Sequence, residues 1–391
     1  MKPTNPVYSG LPMTIFEVMS RLAIEHDAIN LGQGFPDVDG PHDVKAVAAE
    51  ALRSGLNQYP PMMGLPELRQ AVAAANRRFY GLDVDWKSEV LVTSGATEAL
   101  SDCIMALVEP GDEVVLIEPL YDCYLPTVER AGATARLVRL VPPDWRLDPE
   151  ALAAAFGPRT KAILLNNPHN PAAKVFTEDE LSLIADLVVR HDAFAICDEV
   201  YEHIVFDGRR HRPLMTWPGM RERCIRIGSA GKTFSLTGWK VGYVTAAPRL
   251  LEPVTRAHQF TTFTTAPNVQ KAVAYGLAKD DSYYASLAGD LQLKRDRFAA
   301  GLAGLGFGVA PCAGTYFITA DVAPLGLGGD AELCRRTTVE AGVAAVPASA
   351  FYGSDAPTTF VRFCFSKRDD ILDEAIERLG RWLESGRRAT A

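Results

Sequence analysis

Short apolar runs, many of them rich in β-branched residues, alternate with helix-like segments between about residues 89 and 247. A turn follows each run, which is the pattern of a mainly parallel sheet covered by helices on both faces. Ligands in such sheets bind beyond the carboxyl ends of the strands, so residues just after each run are candidates for function. Seven runs are predicted as strands: Glu89–Thr93, Glu113–Ile117, Ala135–Leu140, Ala162–Leu165, Phe194–Cys197, Cys224–Ile227 and Val241–Thr245.

The pattern of apolar and polar residues changes after about Ser286, where longer amphipathic segments and alternating segments replace the short apolar runs. In the first region we predict helices at Thr97–Val108 and Thr177–Arg190, the second opening on a capping box of Thr177 and Glu180. In the second region we predict a helix at Leu291–Leu305, strands at Thr315–Ala320 and Phe360–Phe365, and a helix at Asp369–Ser385. The chain is therefore predicted to be α/β, with a large three-layer domain at 46–285, a smaller α+β domain at 286–391, and an N-terminal segment, 1–45, packing with the smaller domain.

Composition narrows the class of partner. A formal net charge of −8 argues against a nucleic acid held by a bulk basic field, and a small-molecule substrate fits better. The seven cysteines form neither a paired C-x-x-C nor a Cys/His cluster, so we predict no metal site and no disulfide framework, and expect a reducing, cytoplasmic setting. No export signal and no apolar stretch approaching a membrane span is found.

Lys232 stands in the small-residue run from Ser229 to Gly242 and is the leading candidate for chemistry. A lysine that loses its proton can condense with an aldehyde to form a Schiff base, and small neighbours let a cofactor ring approach. The alternative is a surface lysine in a Gly/Ser turn. The run therefore needs support from elsewhere in the chain.

Two strand ends offer that support. Gly95, Ala96 and Thr97 lead from a strand into a helix start, where backbone N–H groups and the helix dipole can bind a phosphate, although a plain turn capped by Thr97 reads equally well. Asp198 ends an apolar strand and needs a cationic or hydrogen-bonding partner, which a protonated pyridine nitrogen would supply, with Tyr201 within reach of the same ring. A turn-capping Asp198 is the alternative.

Three further residues could hold a ring or a carboxylate. Asn170 follows another buried strand between prolines and could donate an amide hydrogen, or could form an ordinary Asn-Pro turn. Tyr121 offers a flat face for stacking, or a core side chain. Arg362 lies between apolar neighbours, a costly place unless an anion is supplied, and its guanidinium matches a carboxylate; an internal salt bridge is the alternative.

Taken in order, these motifs resemble the fold-type-I pyridoxal-phosphate aminotransferases of class I/II. The resemblance covers nearly the whole chain, and within the family it is closest to the kynurenine, glutamine and methionine aminotransferases and to bacterial N-succinyldiaminopimelate aminotransferases. The motifs are Gly32-Gln33-Gly34-Phe35-Pro36, Asn57-Gln58-Tyr59, Ser94-Gly95-Ala96-Thr97, Asn166-x-Pro-x-Asn170-Pro171, Asp198-x-x-Tyr201, Ser229-x-x-Lys232 and Arg362.

The resemblance implies a role for each residue. Lys232 would bind pyridoxal phosphate and shuttle the proton, Asp198 would pair with the pyridine nitrogen, and Asn170 and Tyr201 would bond the phenolic oxygen. The remaining roles fall to residues of the phosphate cup (Ala96, Thr97, Ser229, Lys240), of ring stacking (Tyr121) and of the substrate carboxylate grip (Arg362, Asn170, the Gly34 backbone). Tyr59 would reach the phosphate of a second subunit, which implies a homodimer.

The resemblance leaves the substrate open. Pro171-Ala172-Ala173-Lys174 departs from the glycine that relatives usually carry after the Asn-Pro pair, and Thr97 stands where some kynurenine-type members have an aromatic residue. Aromatic residues that could line an apolar pocket favour methionine, glutamine, leucine or aromatic donors, or could be core: Phe16, Phe35, Tyr59, Phe260, Phe263 and Phe351. A cysteine-conjugate β-lyase and a non-enzymatic cofactor-binding sensor are the other readings, whereas a Rossmann oxidoreductase lacks its G-x-G-x-x-G.

Overall fold

The computed structural model describes residues 2–55 and 57–390 of the chain. Its strands form sheets of seven, four and two members. In chain order the strands are β1 (Ile29–Asn30), β2 (Val90–Thr93), β3 (Glu113–Glu118), β4 (Thr134–Arg139), β5 (Thr160–Asn166), β6 (Phe194–Asp198), β7 (Cys224–Ser229), β8 (Gly242–Ala246), β9 (Gly308–Val309), β10 (Phe317–Asp321), β11 (Val343–Ala344), β12 (Val346–Pro347) and β13 (Phe360–Cys364).

The seven-stranded sheet confirms the predicted fold, and every one of the seven predicted runs is a strand in it. The strand order is β2-β8-β7-β6-β5-β3-β4. Each pairing is parallel except those that β8 makes with β2 and β7. An antiparallel strand begins where its neighbours end, so the start of β8 lies at the carboxyl edge of the sheet, with Gly242 paired to Thr93.

Both faces of this sheet are covered. Alternate residues of β2 and β3 belong to different apolar cores, with Val92 and Val115 on one face and Leu91 and Val114 on the other. The helices are α1 (Pro6–Ser9), α2 (Ile15–Glu25), α3 (His42–Arg53), α4 (Pro66–Tyr80), α5 (Ala96–Leu107), α6 (Tyr124–Arg130), α7 (Pro149–Ala155), α8 (Glu178–Arg190), α9 (Ala230–Thr233), α10 (Pro248–Thr261), α11 (Pro267–Leu277), α12 (Asp281–Gly304), α13 (Asp330–Arg336) and α14 (Asp369–Thr390).

The predicted capping box of α8 is present, with Thr177 and Glu180 each bonding the other's backbone N–H. Helix α12 begins at Asp281, ten residues before its predicted start at Leu291. Its first turn carries tyrosines that pack on earlier parts of the chain, Tyr283 against Phe234 at 5.6 Å and Tyr284 against Phe79 at 4.8 Å. A single helix therefore runs across position 286, and the boundaries at 45 and 285 stay predictions.

The smaller sheet has the order β12-β13-β10-β9, and its pairings are antiparallel. Strand β1 of the N-terminal segment pairs in parallel with β11, from the same part of the chain as this sheet. Helix α12 packs against β9 and β10 of this sheet, and helix α14 packs against α12 and β11. Within the described part of the chain, no helix combines the length and apolar character needed to cross a membrane.

Candidate active site

One cavity lies at the carboxyl edge of the seven-stranded sheet, where the strand ends and the start of β8 meet. Nine of the residues singled out from the sequence line it: Ala96, Thr97, Tyr121, Asn170, Asp198, Tyr201, Ser229, Lys232 and Lys240. Parallel strands bring these ends together although the residues span some 140 positions of sequence. The structure also adds Tyr124, which sequence reasoning missed, and Asn166, which belonged to a motif but had been given no role.

Lys232 lies on α9, immediately after β7. The Ser229 hydroxyl caps this short helix by accepting from Gly231 N at 3.2 Å. The Lys232 side chain is half-buried, and its Nζ donates to Tyr316 Oη at 3.0 Å. Tyr316 lies just before β10 of the four-stranded sheet and had no motif to mark it in the sequence.

Asp198, the last residue of β6, is 5% exposed. Tyr124 Oη donates to its Oδ2 at 2.6 Å, and Val200 N donates to its Oδ1 at 3.3 Å. Burial raises the pKa of Asp198, and the hydrogen bond from Tyr124 opposes that rise. Its carboxylate is therefore held at the cavity wall in a place where a cationic partner would be strongly favoured.

At the N-terminus of α5 the site is built from two backbones that approach closely. Gly95 caps α5 with φ +84°, and a Cβ on Gly242 would lie 2.6 Å from the carbonyl carbon of Gly95 and 2.9 Å from Ala96 N. The Lys240 Nζ lies 3.3 Å from the place a Cβ on Gly95 would fill. Glycine at both positions leaves a helix N-terminus and an amine together, which is the composition of a phosphate site.

Arg362, in the middle of β13, is 1% exposed. Its Nη1 donates to Asn170 Oδ1 at 3.0 Å and its Nη2 donates to Gly32 O at 2.6 Å, while its Nε has no partner. Arg362 forms no ion pair with any residue that the structure describes. The internal salt bridge that was the alternative for this residue is thus not found, and a buried cation stands beside Asn170 without an anion.

The turn at Pro171-Ala172-Ala173-Lys174 keeps a left-handed residue although this chain lacks the glycine that relatives usually carry there. Ala173 takes the left-handed φ of +55° that a glycine would accept at lower cost. Its carbonyl accepts from Ala313 N at 2.8 Å and Gly314 N at 3.1 Å, which ties the turn to the loop before Tyr316. Asn170 N donates to Asn166 Oδ1 at 2.7 Å, so the segment that carries Asn170 is fixed from both sides.

The aromatic residues proposed for a pocket fall into separate groups. Phe16 and Phe351 lie 5.7 Å apart, and both rings face the Arg362 guanidinium, at 5.0 and 5.2 Å. Tyr59 is 84% exposed and contacts Phe263 edge-on at 5.6 Å, outside the cavity that holds Lys232. Phe260 is 85% exposed and Phe35 43%. The structure therefore brings Phe16 and Phe351 to the site and leaves the others on the surface of the chain.

Glu98 and Asp102 of α5 and His258 of α10 form a buried cluster. It lies next to Gly95, Ala96, Lys240 and Gly242, which together are called the phosphate wall. His258 Nε2 donates to Met62 O at 3.0 Å, and its Nδ1 contacts Glu98 Oε1 at 2.7 Å. Burial alone lowers the pKa of His258, but the bond to Glu98 outweighs it and the pKa is raised. Burial raises the pKa of the neighbouring Asp102 to about 7. Both imidazole nitrogens are engaged, so the cluster is an ion pair beside a carboxyl group rather than a vacant set of metal ligands.

The segment that carries Asp198 and Tyr201 rests on a buried arginine that no sequence motif revealed. Arg226 Nε donates to Glu199 Oε2 at 2.6 Å, and its Nη2 donates to Glu202 Oε2 at 2.9 Å. All three side chains are nearly inaccessible. Two carboxylates around one guanidinium fix the backbone on either side of Tyr201.

Comparison with known proteins identifies the family. Residues 26–379 match the family model for aminotransferase class I and II. The chain belongs to this family. It is therefore a pyridoxal-phosphate-dependent aminotransferase, and the predicted function class and cofactor are confirmed.

The aminotransferase has similar relatives of several kinds. It is 47% identical over 94% of its length to a probable N-succinyldiaminopimelate aminotransferase DapC of Mycobacterium tuberculosis, covering 95% of that protein. It is 40% identical to the methionine aminotransferase of Escherichia coli, with 96% and 98% of the two chains covered. The solved structure of the Mycobacterium tuberculosis enzyme superposes with a TM-score of 0.95 at 46% identity, over 97% of this chain and 100% of that chain.

The residues present fit pyridoxal phosphate. The close approach of Gly242 to Gly95 and Ala96 leaves a cradle that a Cβ would fill, beside the amine of Lys240. The buried Asp198 also lines the cavity; burial raises its pKa, and a protonated ring nitrogen would supply the cation that its carboxylate lacks. Lys232 lines the same cavity. Phosphate, ring nitrogen and aldehyde would each meet a group of matching chemistry.

Proposed function

We propose that this aminotransferase moves amino groups from neutral L-amino acids, sulfur-containing or aromatic ones above all, to 2-oxo acids. The observation that carries the proposal is the convergence of an amine, a carboxylate and a buried guanidinium at one place: Lys232, Asp198 and Arg362. Lys232 and Asp198 line the same cavity, and Arg362 is joined to it by its bond to Asn170. An amino acid presents a carboxylate and an amine, and the site offers a chemical partner for each: the Arg362 guanidinium for the carboxylate and the cofactor held by Lys232 for the amine.

The residues would divide the work as follows. Pyridoxal phosphate supplies an aldehyde that accepts an amino group and a ring that withdraws electrons. Asp198 holds the ring nitrogen in its protonated form, and Lys240, Ser229 and the backbone at Ala96 and Thr97 bind the phosphate. Tyr121 stacks on the ring, and Asn170 and Tyr201 bond its phenolic oxygen.

Two groups act on the substrate in this proposal. Arg362 binds the substrate carboxylate with Asn170 and the Gly34 backbone. Lys232 Nζ would move the proton between the substrate α-carbon and the aldehyde carbon of the cofactor in each half of the cycle. Because Arg362 already donates to Asn170 and Gly32 O, its guanidinium is held in one orientation before a carboxylate arrives.

The preference for neutral side chains is supported by a groove that continues from the cavity past Thr97 and Tyr121. Its walls are mostly apolar and include Leu11, Met13 and Phe351. Among its lining residues that the structure describes there is a carboxylate, Asp122, and no lysine or arginine. A side chain with a second negative charge would be repelled by the Asp122 carboxylate and would find no lysine or arginine among these lining residues.

N-succinyldiaminopimelate chemistry is the second candidate, because the relative at 47% identity carries that name. That substrate class adds carboxylates far from the reacting carbon, and these would have to find cations outside the groove. A screen of donors with several 2-oxo acids separates the candidates. Faster turnover with a succinylated, multiply charged substrate than with methionine, glutamine or phenylalanine would overturn the preference for neutral donors.

A homodimer in which Tyr59 reaches the partner's phosphate is also proposed. It is supported by the near-complete exposure of Tyr59, on a loop tied to the phosphate wall through Met62, His258 and Glu98. A cytoplasmic location is proposed from the cysteines, all seven of which are free.

The amino-transfer step is tested by a half-reaction. Adding L-methionine to purified protein without a 2-oxo acid is expected to bleach the visible absorbance of the bound cofactor. Lys232→Ala should abolish the bleaching, whereas Lys271→Ala, an exposed lysine on α11, should leave it intact. Normal turnover by Lys232→Ala would reject the assignment of the lysine. Release of pyruvate and ammonia from a cysteine conjugate without an acceptor would point to the β-lyase reading instead.

The carboxylate grip has its own test. Arg362→Ala is expected to raise the KM for the amino donor on the order of 100-fold, because a charge-assisted pair of hydrogen bonds is lost. Affinity for pyridoxal phosphate should change little, since Arg362 contacts Asn170 rather than the phosphate wall. An unchanged KM in a protein that still binds the cofactor would show that the carboxylate is bound elsewhere.

A further inference from the structure

Tyr316 contacts the Lys232 amine, and none of the sequence motifs contains it. It lies just before β10 and is 1% exposed. The backbone that delivers it is crowded and fixed. Thr315 has φ +66° and donates from its N to Ile204 O at 2.9 Å, and a Cβ on Gly314 would lie 2.9 Å from the same carbonyl oxygen. The hydroxyl therefore reaches Lys232 from a rigid support.

The direction of the hydrogen bonds at Tyr316 follows from the chemistry of its partners. Its Oη lies 2.8 Å from Gly34 O and 3.0 Å from Lys232 Nζ. A carbonyl oxygen can only accept, so the single hydroxyl hydrogen is donated to Gly34. Toward Lys232 the hydroxyl has only a lone pair left, and the lysine must be the donor. The lone pair of a neutral Lys232 amine is thus not used by Tyr316.

We propose that Tyr316 is a positioning residue that holds the Lys232 amine, whenever it is not attached to the cofactor, with its lone pair free for the next proton or the next aldehyde. The proposal rests on the role proposed above for Lys232. When Nζ takes the α-proton it becomes an ammonium, and the electron pair of the broken C–H bond stays with the substrate. Both the amine and the ammonium carry an N–H for Tyr316 Oη, so the hydroxyl need not turn between the two states.

The same hydroxyl connects the lysine to the substrate-binding backbone. Gly34 O accepts from Tyr316, and the Gly34 backbone belongs to the proposed carboxylate grip. A Cβ on Gly34 would lie 2.5 Å from the Phe317 ring, so this segment packs against the strand that follows Tyr316. Lys232 lines both the cofactor cavity and a second cavity of about 350 Å³, and Tyr316 lines the second. Tyr316 thus stands where the amine would rest when the cofactor releases it.

Tyr316→Phe tests the hydroxyl while keeping the ring. The ring contacts, edge-on to Tyr201 at 5.2 Å and to Phe317 at 4.9 Å, are available to phenylalanine as well. Tyr284→Phe is the matched control, because Tyr284 is a buried tyrosine whose hydroxyl donates to a backbone carbonyl, Leu277 O, at 3.1 Å. Both variants lose one buried hydroxyl.

Three measurements carry the test. The first is the rate at which pyridoxal phosphate becomes attached to Lys232 of the apoprotein, trapped with borohydride and read by mass spectrometry. The second is the half-reaction rate with L-methionine and its α-deuterated form. The third is the affinity for pyridoxamine phosphate, which binds without the lysine and so reports the integrity of the rest of the site.

In Tyr316→Phe we expect attachment to slow by about fivefold or more and the half-reaction by roughly 10- to 100-fold, with a larger deuterium isotope effect. Pyridoxamine phosphate affinity and the KM for methionine should stay within about twofold. Rates equal to wild type would overturn the proposal, as would rates that fall together with pyridoxamine phosphate affinity. Failure of wild-type protein to attach the cofactor or to bleach would instead reject the proposed function.

Discussion

Tyr124 offers the sharpest test of how the site holds its cofactor. Its hydroxyl donates to Asp198 Oδ2 at 2.6 Å, and burial raises the pKa of Tyr124 well above its ordinary value, so the hydroxyl stays protonated. Tyr124→Phe removes that donor and leaves the Asp198 carboxylate with the weaker bond from Val200 N at 3.3 Å. Because burial already raises the pKa of Asp198, losing Tyr124 should raise it further.

A hydrogen bond to a buried charged group is worth about 1.5–3 kcal/mol, which corresponds to a loss of roughly 10- to 150-fold in pyridoxal phosphate affinity. The sign of the pH dependence follows from the raised pKa. The variant holds the Asp198 proton to higher pH, so its affinity should be poorest at acidic pH and approach that of wild type as the carboxylate ionises.

Isothermal titration of the apoprotein with the cofactor across neutral pH measures both effects, with Tyr284→Phe as the control for a lost buried hydroxyl. Wild-type affinity and an unshifted pH profile in Tyr124→Phe would refute the reasoning, because they would mean that the Asp198 charge does not govern binding. Unfolding of the variant is not expected, since phenylalanine keeps the edge contact to Tyr121 at 5.8 Å.

Other predictions follow from the same geometry. Gly242→Ala should weaken pyridoxal phosphate binding, because its Cβ would push on Gly95 and Ala96, whereas the Cβ of Gly238→Ala meets open space and should have no effect. Equal affinities of the two variants in a titration with the cofactor would contradict the proposed phosphate site. Co-expressed Lys232→Ala and Tyr59→Ala subunits should regain about a quarter of wild-type activity, because each hybrid dimer rebuilds one complete site; no recovery would exclude a shared site. Burial raises the pKa of Asp102 to about 7, so the folded protein holds a proton that the unfolded chain releases, and wild-type stability should fall as the pH rises toward that value. Calorimetry should then show the melting temperature of Asp102→Asn rising relative to wild type from about pH 5 to about pH 8, and a constant difference would be the contrary result.

The strands and the residues at their ends could be predicted because they depend on local patterns. Asp198, Asn170 and Lys232 each follow or end an apolar run, and the topology of a parallel sheet brings such residues to one edge. Tyr124 and Tyr316 follow no such rule. Nothing in the local sequence distinguishes either residue from other tyrosines. Their hydroxyls bond Asp198 and Lys232, which lie 74 and 84 positions away in the sequence.

Other differences have the same origin. Helix α12 begins earlier than its periodicity indicated because Tyr283 and Tyr284 pack on Phe234 and Phe79, tertiary contacts that a local pattern does not contain. The role of the buried Arg226 was likewise not predicted, because its partners Glu199 and Glu202 lie 27 and 24 positions away in the sequence. The role of Tyr59 depends on a second chain and stays a prediction.

The antiparallel insertion of β8 between β2 and β7 bears on how the enzyme is made. Synthesis produces β2 long before β8, and β2 pairs within the sheet with β8. Until residue 246 has left the ribosome, β2 has no neighbouring strand in this sheet and one edge of β7 is unpaired. Unpaired strand edges can pair with other chains and so promote aggregation. The phosphate cradle is closed by the same event, since Gly242 then arrives beside Gly95. A nascent chain that stops before β8 lacks both the strand that joins β2 to the sheet and the glycine that lies beside Gly95.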